Sequence, residues 1–191
     1  TGNVAFLSAV WQVLIVSVFP LKYTVLVKDN QHLYAYLREE AFYMYDKYLV
    51  TGATGFLGRA VAEELVRRKA QVHALVLHDD PYINLLPKEV HTVIGDVCAE
   101  NSLTDFFADA DSRTCVIHCA GIVSVASRPG SKLYQVNVGG TWSVLRQCME
   151  RNVGKMVYVS SVHAIPEKPK GCIISEDCEF SPGLVDGDYA K

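Results

Sequence analysis

The chain has 191 residues, half of them apolar and a fifth charged, with a formal net charge of −3. This is globular composition, long enough for one domain with a real core, and it argues against disorder. The acidic balance, with no basic run, low-complexity tract or internal repeat, gives no electrostatic footprint for nucleic acid.

The first 43 residues differ from the rest. Residues 1–21 carry no charge before Lys22, a length that can span a bilayer. Asn3, Ser8, Gln12, Ser17 and Pro20 dilute the run, and no basic residues precede it as a signal peptide requires. We therefore expect residues 1–43 to be an upstream extension, with a membrane segment at 4–21 as the weaker alternative. Met44 stands just before a strand-like run and Thr1 is no initiator. Met44 is thus expected to start the native protein, with a domain from 44 to 191.

From Tyr45 onward the pattern is regular. KYLVT (47–51) reads as a strand. GFLGRAVAEELVRRK (55–69) has helical spacing, with Leu57, Val61, Leu65 and Val66 on one face. QVHALVL (71–77) and HTVIG (91–95) are further strands. SLTDFFAD (102–109) is a short helix with Ser102 as its expected N-cap. TCVIHCAG (114–121) is a fourth strand, residues 132–152 form a long helix, and KMVYVSS (155–161) is a fifth strand. Strands that are continuously apolar and alternate with helices imply a parallel sheet covered on both faces, an α/β fold. Six cysteines stand at 98, 115, 119, 148, 172 and 178, with no CxxC pair. Cys98, Cys115 and Cys119 lie in or beside apolar runs and read as small buried hydrophobes. Neither a disulfide framework nor a metal site is expected, and a reducing compartment, the cytoplasm, follows.

TGATGFLG (51–58) follows the first strand and opens the first helix, the setting a phosphate-binding loop needs. Gly52 permits the sharp turn, Gly55 lets backbone approach a pyrophosphate, and Gly58 lets helix pack near strand. The N–H groups of Phe56 and Leu57 would then point at the anion, with Thr54 beside them. The alternative is a glycine turn without a ligand. The expected architecture is a Rossmann-type, doubly wound parallel sheet.

Six ordered motifs then resemble one family. They are TGATGFLG, Gly95-Asp96-Val97, His118-Cys119-Ala120-Gly121, Asn137-Val138-Gly139-Gly140-Thr141, Val157-Tyr158-Val159-Ser160-Ser161 and Asp188-Tyr189-Ala190-Lys191. Over residues 45–191 the chain resembles the extended short-chain dehydrogenases/reductases, the NAD-dependent epimerase/dehydratase family. Within it, the chain is similar to the dihydroflavonol-reductase and 3β-hydroxysteroid-dehydrogenase-like branch. The resemblance implies an NAD(P)-dependent oxidoreductase, epimerase or dehydratase that transfers hydride to or from a carbon bearing a hydroxyl or carbonyl.

The resemblance also implies residue roles. Asp96 meets the adenine with Val97 beside it; otherwise Asp96 precedes a helix and caps its backbone N–H groups. Cys119, Ala120 and Gly121 keep the coenzyme channel open. His118 packs rather than acting as a base. Asn137 supports the active-site geometry; otherwise it bonds its own helix. Ser161 holds the substrate oxygen, and Tyr189 moves the proton. The family's lysine comes four residues after the tyrosine, at position 193 here, so Lys191 on another helix face is not promoted. The chain as given is accordingly expected to bind coenzyme weakly and not to turn over. It is also expected to leave the edge of the sheet beside the fifth strand bare. The second strand, where ribose is chosen, has Val76 and Leu77 at the selecting positions. Asp79 and Asp80 follow and no arginine stands there, which tilts the expectation from NADP towards NAD. The expected partner is a small-molecule substrate, with a homodimer compatible for the full-length protein. The rival class is a non-catalytic dinucleotide sensor or scaffold on the same fold. Ser161 and Tyr189 argue against it, since a sensor needs neither.

Overall fold

The computed structural model describes residues 13–17, 25–28, 45–124, 130–169, 171, 172, 178, 181–187 and 189–191. Short apolar runs become strands β1 (Val13–Ser17), β2 (Val25–Lys28), β3 (Lys47–Thr51), β4 (Gln71–Val76), β5 (His91–Ile94), β6 (Thr114–His118) and β7 (Lys155–Ser161). They form one sheet in the order β2-β1-β7-β6-β3-β4-β5. From β7 to β5 every pairing is parallel, so the five expected strands make the doubly wound core. The chain winds outward from β3 to β4 and β5, then returns to the other side of β3 with β6. That reversal opens a crevice at the carboxyl ends of β3 and β6, where open α/β sheets take their ligands.

Each face of the sheet has its own core. Tyr48, Val50, Ala74, Val76 and Cys115 pack with Ala62 and Leu65 of helix α1 (Phe56–Arg67). Leu49, Leu75, Val116 and Met156 pack on the other face with Phe106, Phe107, Val144 and Cys148. Phe106 and Phe107 are 2% and 0% exposed, and each contributes about 1.5–3 kcal/mol by burial. Of the expected stripe on α1, Leu65 is fully buried and Val61 and Val66 lie at the margin, while Gly58 and Ala62 are the other fully buried residues. The small residues let the helix lie close to the sheet.

Three expectations are corrected. The edge of β7 is not bare. Strand β1 pairs antiparallel with it, Val13 opposite Ser161 and Ser17 opposite Val157, and β2 pairs with β1. An exposed row of N–H and C=O groups is a template for another strand, and the upstream segment supplies one. The described part of the apolar stretch 4–21 is this strand; the rest lies outside the described residues, as do Met44 and Asp188. Among the described residues no helix is long and apolar enough to cross a membrane. Second, the long helix is interrupted. Helix α2 (Ser131–Tyr134) runs into a π-helical segment, Gln135–Gly140, before helix α3 (Thr141–Glu150) resumes α geometry. Third, Ser102 is no N-cap. It lies inside a 3-10 turn, Glu100–Leu103, where its hydroxyl accepts from the Asp96 N–H at 2.9 Å and donates to the carbonyl of Asp96 or of Ala99.

Candidate functional site

The glycine loop leaves β3 at Thr51, which is fully buried. Gly52 has φ of +65°, and a Cβ there would stand 2.6 Å from the Ala120 nitrogen. A Cβ on Gly58 would strike the carbonyl oxygen of Gly52. The Gly55 N–H closes the turn on the Gly52 carbonyl at 3.1 Å, and a Cβ on Gly55 would meet only that oxygen, at 3.2 Å. Helix α1 then starts with Gly55 as its N-cap, no side-chain capping bond, and no acidic residue in its first turn. The first-turn N–H groups, Phe56 and Leu57 among them, thus gain no carboxylate or hydroxyl from the cap, and helix N-termini carry partial positive charge. A cradle that excludes side chains and offers uncapped donors fits a pyrophosphate.

The loop after β4 folds back on this cradle. The Thr54 hydroxyl donates to the Asp80 carboxylate at 2.6 Å, and the other oxygen of Asp80 accepts from the Tyr82 N–H at 2.9 Å. Asp79 turns outward to His78, both exposed. Of the two acids expected near the ribose, only Asp80 is brought to the glycine loop. Val76 is buried and Leu77 exposed.

Beyond β5, one carboxylate oxygen of Asp96 accepts from the Cys98 N–H at 2.9 Å, which is the capping geometry. Val97 is buried and its methyl group lies against Gly140, where a Cβ would stand 2.6 Å away. Cys98 is exposed, against the expectation of a buried thiol, whereas burial pushes the Cys115, Cys119 and Cys148 thiols up to about 12.

The end of β6 is tied to β3 and to the π-helical segment. The Cys119 N–H donates to the Thr51 carbonyl at 3.1 Å, and the Ala120 N–H to the Thr51 hydroxyl at 3.2 Å. Asn137 does not bond its own helix through its side chain. Its carboxamide accepts from the Ile122 N–H at 2.7 Å and donates to the Ile122 carbonyl at 2.9 Å. Gly121 is exposed beside it, and a Cβ there would stand 3.6 Å from the Asn137 Oδ1. His118 is fully buried, with Nδ1 at 2.6 Å from the Thr51 hydroxyl and Nε2 at 3.0 Å from the Thr141 hydroxyl. Burial pushes its imidazole down to about 4. It packs, as expected, and has no free nitrogen to act as a base.

At the end of β7, Tyr158 stacks on His118 with ring centres 5.8 Å apart. Burial raises the Tyr158 phenol, and bonds to Thr141 and Ser160 oppose that. The Ser161 hydroxyl accepts from the His163 N–H at 3.3 Å, and the His163 ring meets Tyr189 edge-on at 6.3 Å. His163, in the turn Val162–Ala164, thus touches Ser161 through its backbone and Tyr189 through its ring. Lys191 is exposed. Sequence reasoning missed Thr51, Thr141, Tyr158 and His163. The first three stood inside quoted motifs without a role: Thr51 opens the glycine loop, Thr141 lies four residues after Asn137, and Tyr158 lies in the strand that ends at Ser161.

Comparison with known proteins agrees with this architecture. Residues 49–182 match the 3-beta hydroxysteroid dehydrogenase/isomerase family. The chain is 34% identical over 131 residues to 3 beta-hydroxysteroid dehydrogenase type 7 of Homo sapiens, a match covering 65% of this chain and 35% of that protein. It thus spans about a third of that relative's length. The crystal structure of gox2253 superposes with a TM-score of 0.67 at 28% identity, over 76% of this chain and 43% of that one. A short-chain dehydrogenase/reductase superfamily protein from Agrobacterium tumefaciens, solved with bound NAD, gives 0.61 at 25% identity, over 75% and 40%. A match through the sheet, the glycine loop and the end of β7 places the chain in the 3-beta hydroxysteroid dehydrogenase/isomerase family.

Proposed function

We propose that residues 44–191 are the coenzyme-binding domain of a nicotinamide-dependent oxidoreductase acting on a carbon that bears a hydroxyl or carbonyl. Residues 1–43 are an extension outside that domain, although two of their strands join its sheet. The observation that carries the reading is the glycine cradle, where Gly52 and Gly58 admit no Cβ and the first turn of α1 is uncapped. Family membership and the NAD bound to the Agrobacterium tumefaciens protein support it. The residues proposed to line the coenzyme are Gly52, Thr54, Gly55, Phe56, Leu57, Gly58, Asp96, Val97, Cys119, Ala120 and Gly121. For Asp96 and Val97 the contact is through backbone and the remaining carboxylate oxygen, since the Val97 side chain is spent on the core. NAD is favoured over NADP, because a carboxylate held against Thr54 repels a ribose 2′-phosphate.

The bound nicotinamide supplies or accepts the hydride. Tyr189 gives its phenolic proton to the substrate oxygen as a carbonyl is reduced, and takes it back as an alcohol is oxidised. Ser161 donates a hydrogen bond to that same oxygen and fixes it beside Tyr189. Asn137 pins the Ile122 backbone and so shapes the floor of the site. The partner is a small alcohol or ketone, with hydroxysteroids first in line from the name of the human relative. The reading includes a cytoplasmic protein, supported by buried thiols at Cys115 and Cys148. It also includes a homodimer, supported by exposed Tyr134, Trp142 and Met149 along one helical stretch.

The test is a hydride-transfer assay on the full-length protein, following NADH absorbance with 3β-hydroxysteroids, their ketones and dihydroflavonols. Turnover with at least one substrate is expected, falling 100-fold or more in Tyr189→Phe. A Tyr189→Phe variant as active as wild type would contradict the assignment of the proton donor.

A further inference from the structure

One arrangement of protons satisfies all the bonds around His118 together. In it the Thr141 hydroxyl donates to the Asn137 carbonyl at 2.7 Å and accepts from His118. The Nε2 of His118 therefore carries the imidazole proton. The Thr51 hydroxyl accepts from the Ala120 N–H and has its own proton left to donate, 2.6 Å away, to the bare Nδ1. The result is a directed chain, each link donating to the next, from the Ala120 N–H through Thr51, His118 and Thr141 to the Asn137 carbonyl. It starts at the backbone that abuts Gly52 and ends at the residue that clamps Ile122. The neutral ring is the species that supplies one acceptor and one donor; a charged ring would present a second proton to Thr51 and break the polarity.

The chain crosses the crevice between β3 and β6 and meets the helix at the π-helical segment, where the register of α2 is offset from that of α3. Single π turns inside α-helices recur at functional sites. The aromatic face of His118 is covered by Tyr158, whose hydroxyl also reaches Thr141 and Ser160. One buried ring is thus in contact with the turn that opens the glycine loop, the Asn137 segment, and the strand carrying Ser160 and Ser161.

We propose that His118, as a neutral Nε2–H imidazole bridging Thr51 and Thr141, is a positioning residue that couples the glycine loop to the Asn137 segment. It touches neither coenzyme nor substrate; it sets the spacing between the group that holds the pyrophosphate and the groups that hold the substrate. The inference rests on the oxidoreductase reading above.

The test uses the full-length protein. Histidine 15N shifts report the tautomer directly, and an Nε2–H form at pH 7 is expected. His118→Phe keeps a ring against Tyr158 and loses both bonds; His118→Gln keeps one acceptor and one donor. We expect NADH or NADPH affinity to fall 10-fold or more in folded His118→Phe and to stay within about 3-fold of wild type in His118→Gln. Where His118→Phe does not fold, Thr141→Val removes the acceptor with the imidazole in place, and Thr141→Ser restores it; the same split is expected. An Nδ1–H or charged ring, or a folded His118→Phe or Thr141→Val with wild-type affinity, overturns the inference alone. Wild-type protein that binds neither coenzyme overturns the oxidoreductase reading and this inference with it.

Discussion

A methyl group at Gly58 would collide with the carbonyl oxygen of Gly52, a backbone atom that cannot rotate away. Gly58→Ala is therefore expected to destabilise the fold by about 1–3 kcal/mol, the usual range for overpacking. A Cβ on Gly139 meets nothing within 4 Å, so Gly139→Ala is expected to be neutral or slightly stabilising, alanine being the better helix former. Thermal unfolding of the two variants beside wild type checks the pair; equal losses would contradict the close approach at Gly58. The glycines were legible because three of them within seven residues, between a strand and a helix, carry their own geometry. The partners of His118 were not. Thr51 is 67 residues away and Thr141 is 23, and nothing in the local string shows that the sheet and helix bring them to one ring. Asn137 was read in part: its importance showed, but its clamp on Ile122 depends on how the loop after β6 turns.

At the scale of elements, α1 shows how a local pattern is refined by packing. Glu64 accepts from Arg67 through two bonds, at 2.6 and 2.7 Å, and from Arg68 at 2.6 Å. The Arg67 bond, with that of Arg68, holds the Glu64 carboxyl down at about 2 against the opposing effect of burial. Its folded value lies below its unfolded one, so the stabilisation is complete above pH 4.5 and is lost as pH falls towards 2. Arg67 is 69% exposed, so solvent screens the cluster and Glu64→Gln should cost only about 0.5–1 kcal/mol at pH 7. Denaturant melts at pH 7 and at pH 2–3 check this, with the difference between variant and wild type shrinking in acid; a difference that grows in acid would contradict the pairing. The π-helical segment and the β1–β2 hairpin were not legible. The first lies where Gly140 lets the Val97 side chain approach the helix backbone, a contact between residues far apart in sequence. The second is set by a vacant strand edge more than 100 residues downstream, not by the hairpin's own sequence.

At the scale of the molecule, the order of the five parallel strands fixes where chemistry can occur. The reversal at β3 puts Thr51, Ala120 and the start of α1 around one crevice, and β7 adds Ser161 along the same rim. A doubly wound parallel sheet was legible, because strands alternating with helices admit few right-handed, unknotted windings. Asp79 and Asp80 were legible as acids near the ribose; which of them reaches the glycine loop was not, because the Thr54–Asp80 bond forms only when the loop after β4 folds back. The most direct measurement is a fluorescence titration of NADH and of NADPH into the full-length protein. Saturable binding of NADH is expected, with NADPH weaker by 10-fold or more and both lost in Gly52→Val. Absence of saturable binding of either coenzyme would mean that the glycine loop is only a turn, and the proposed oxidoreductase function would fall with it.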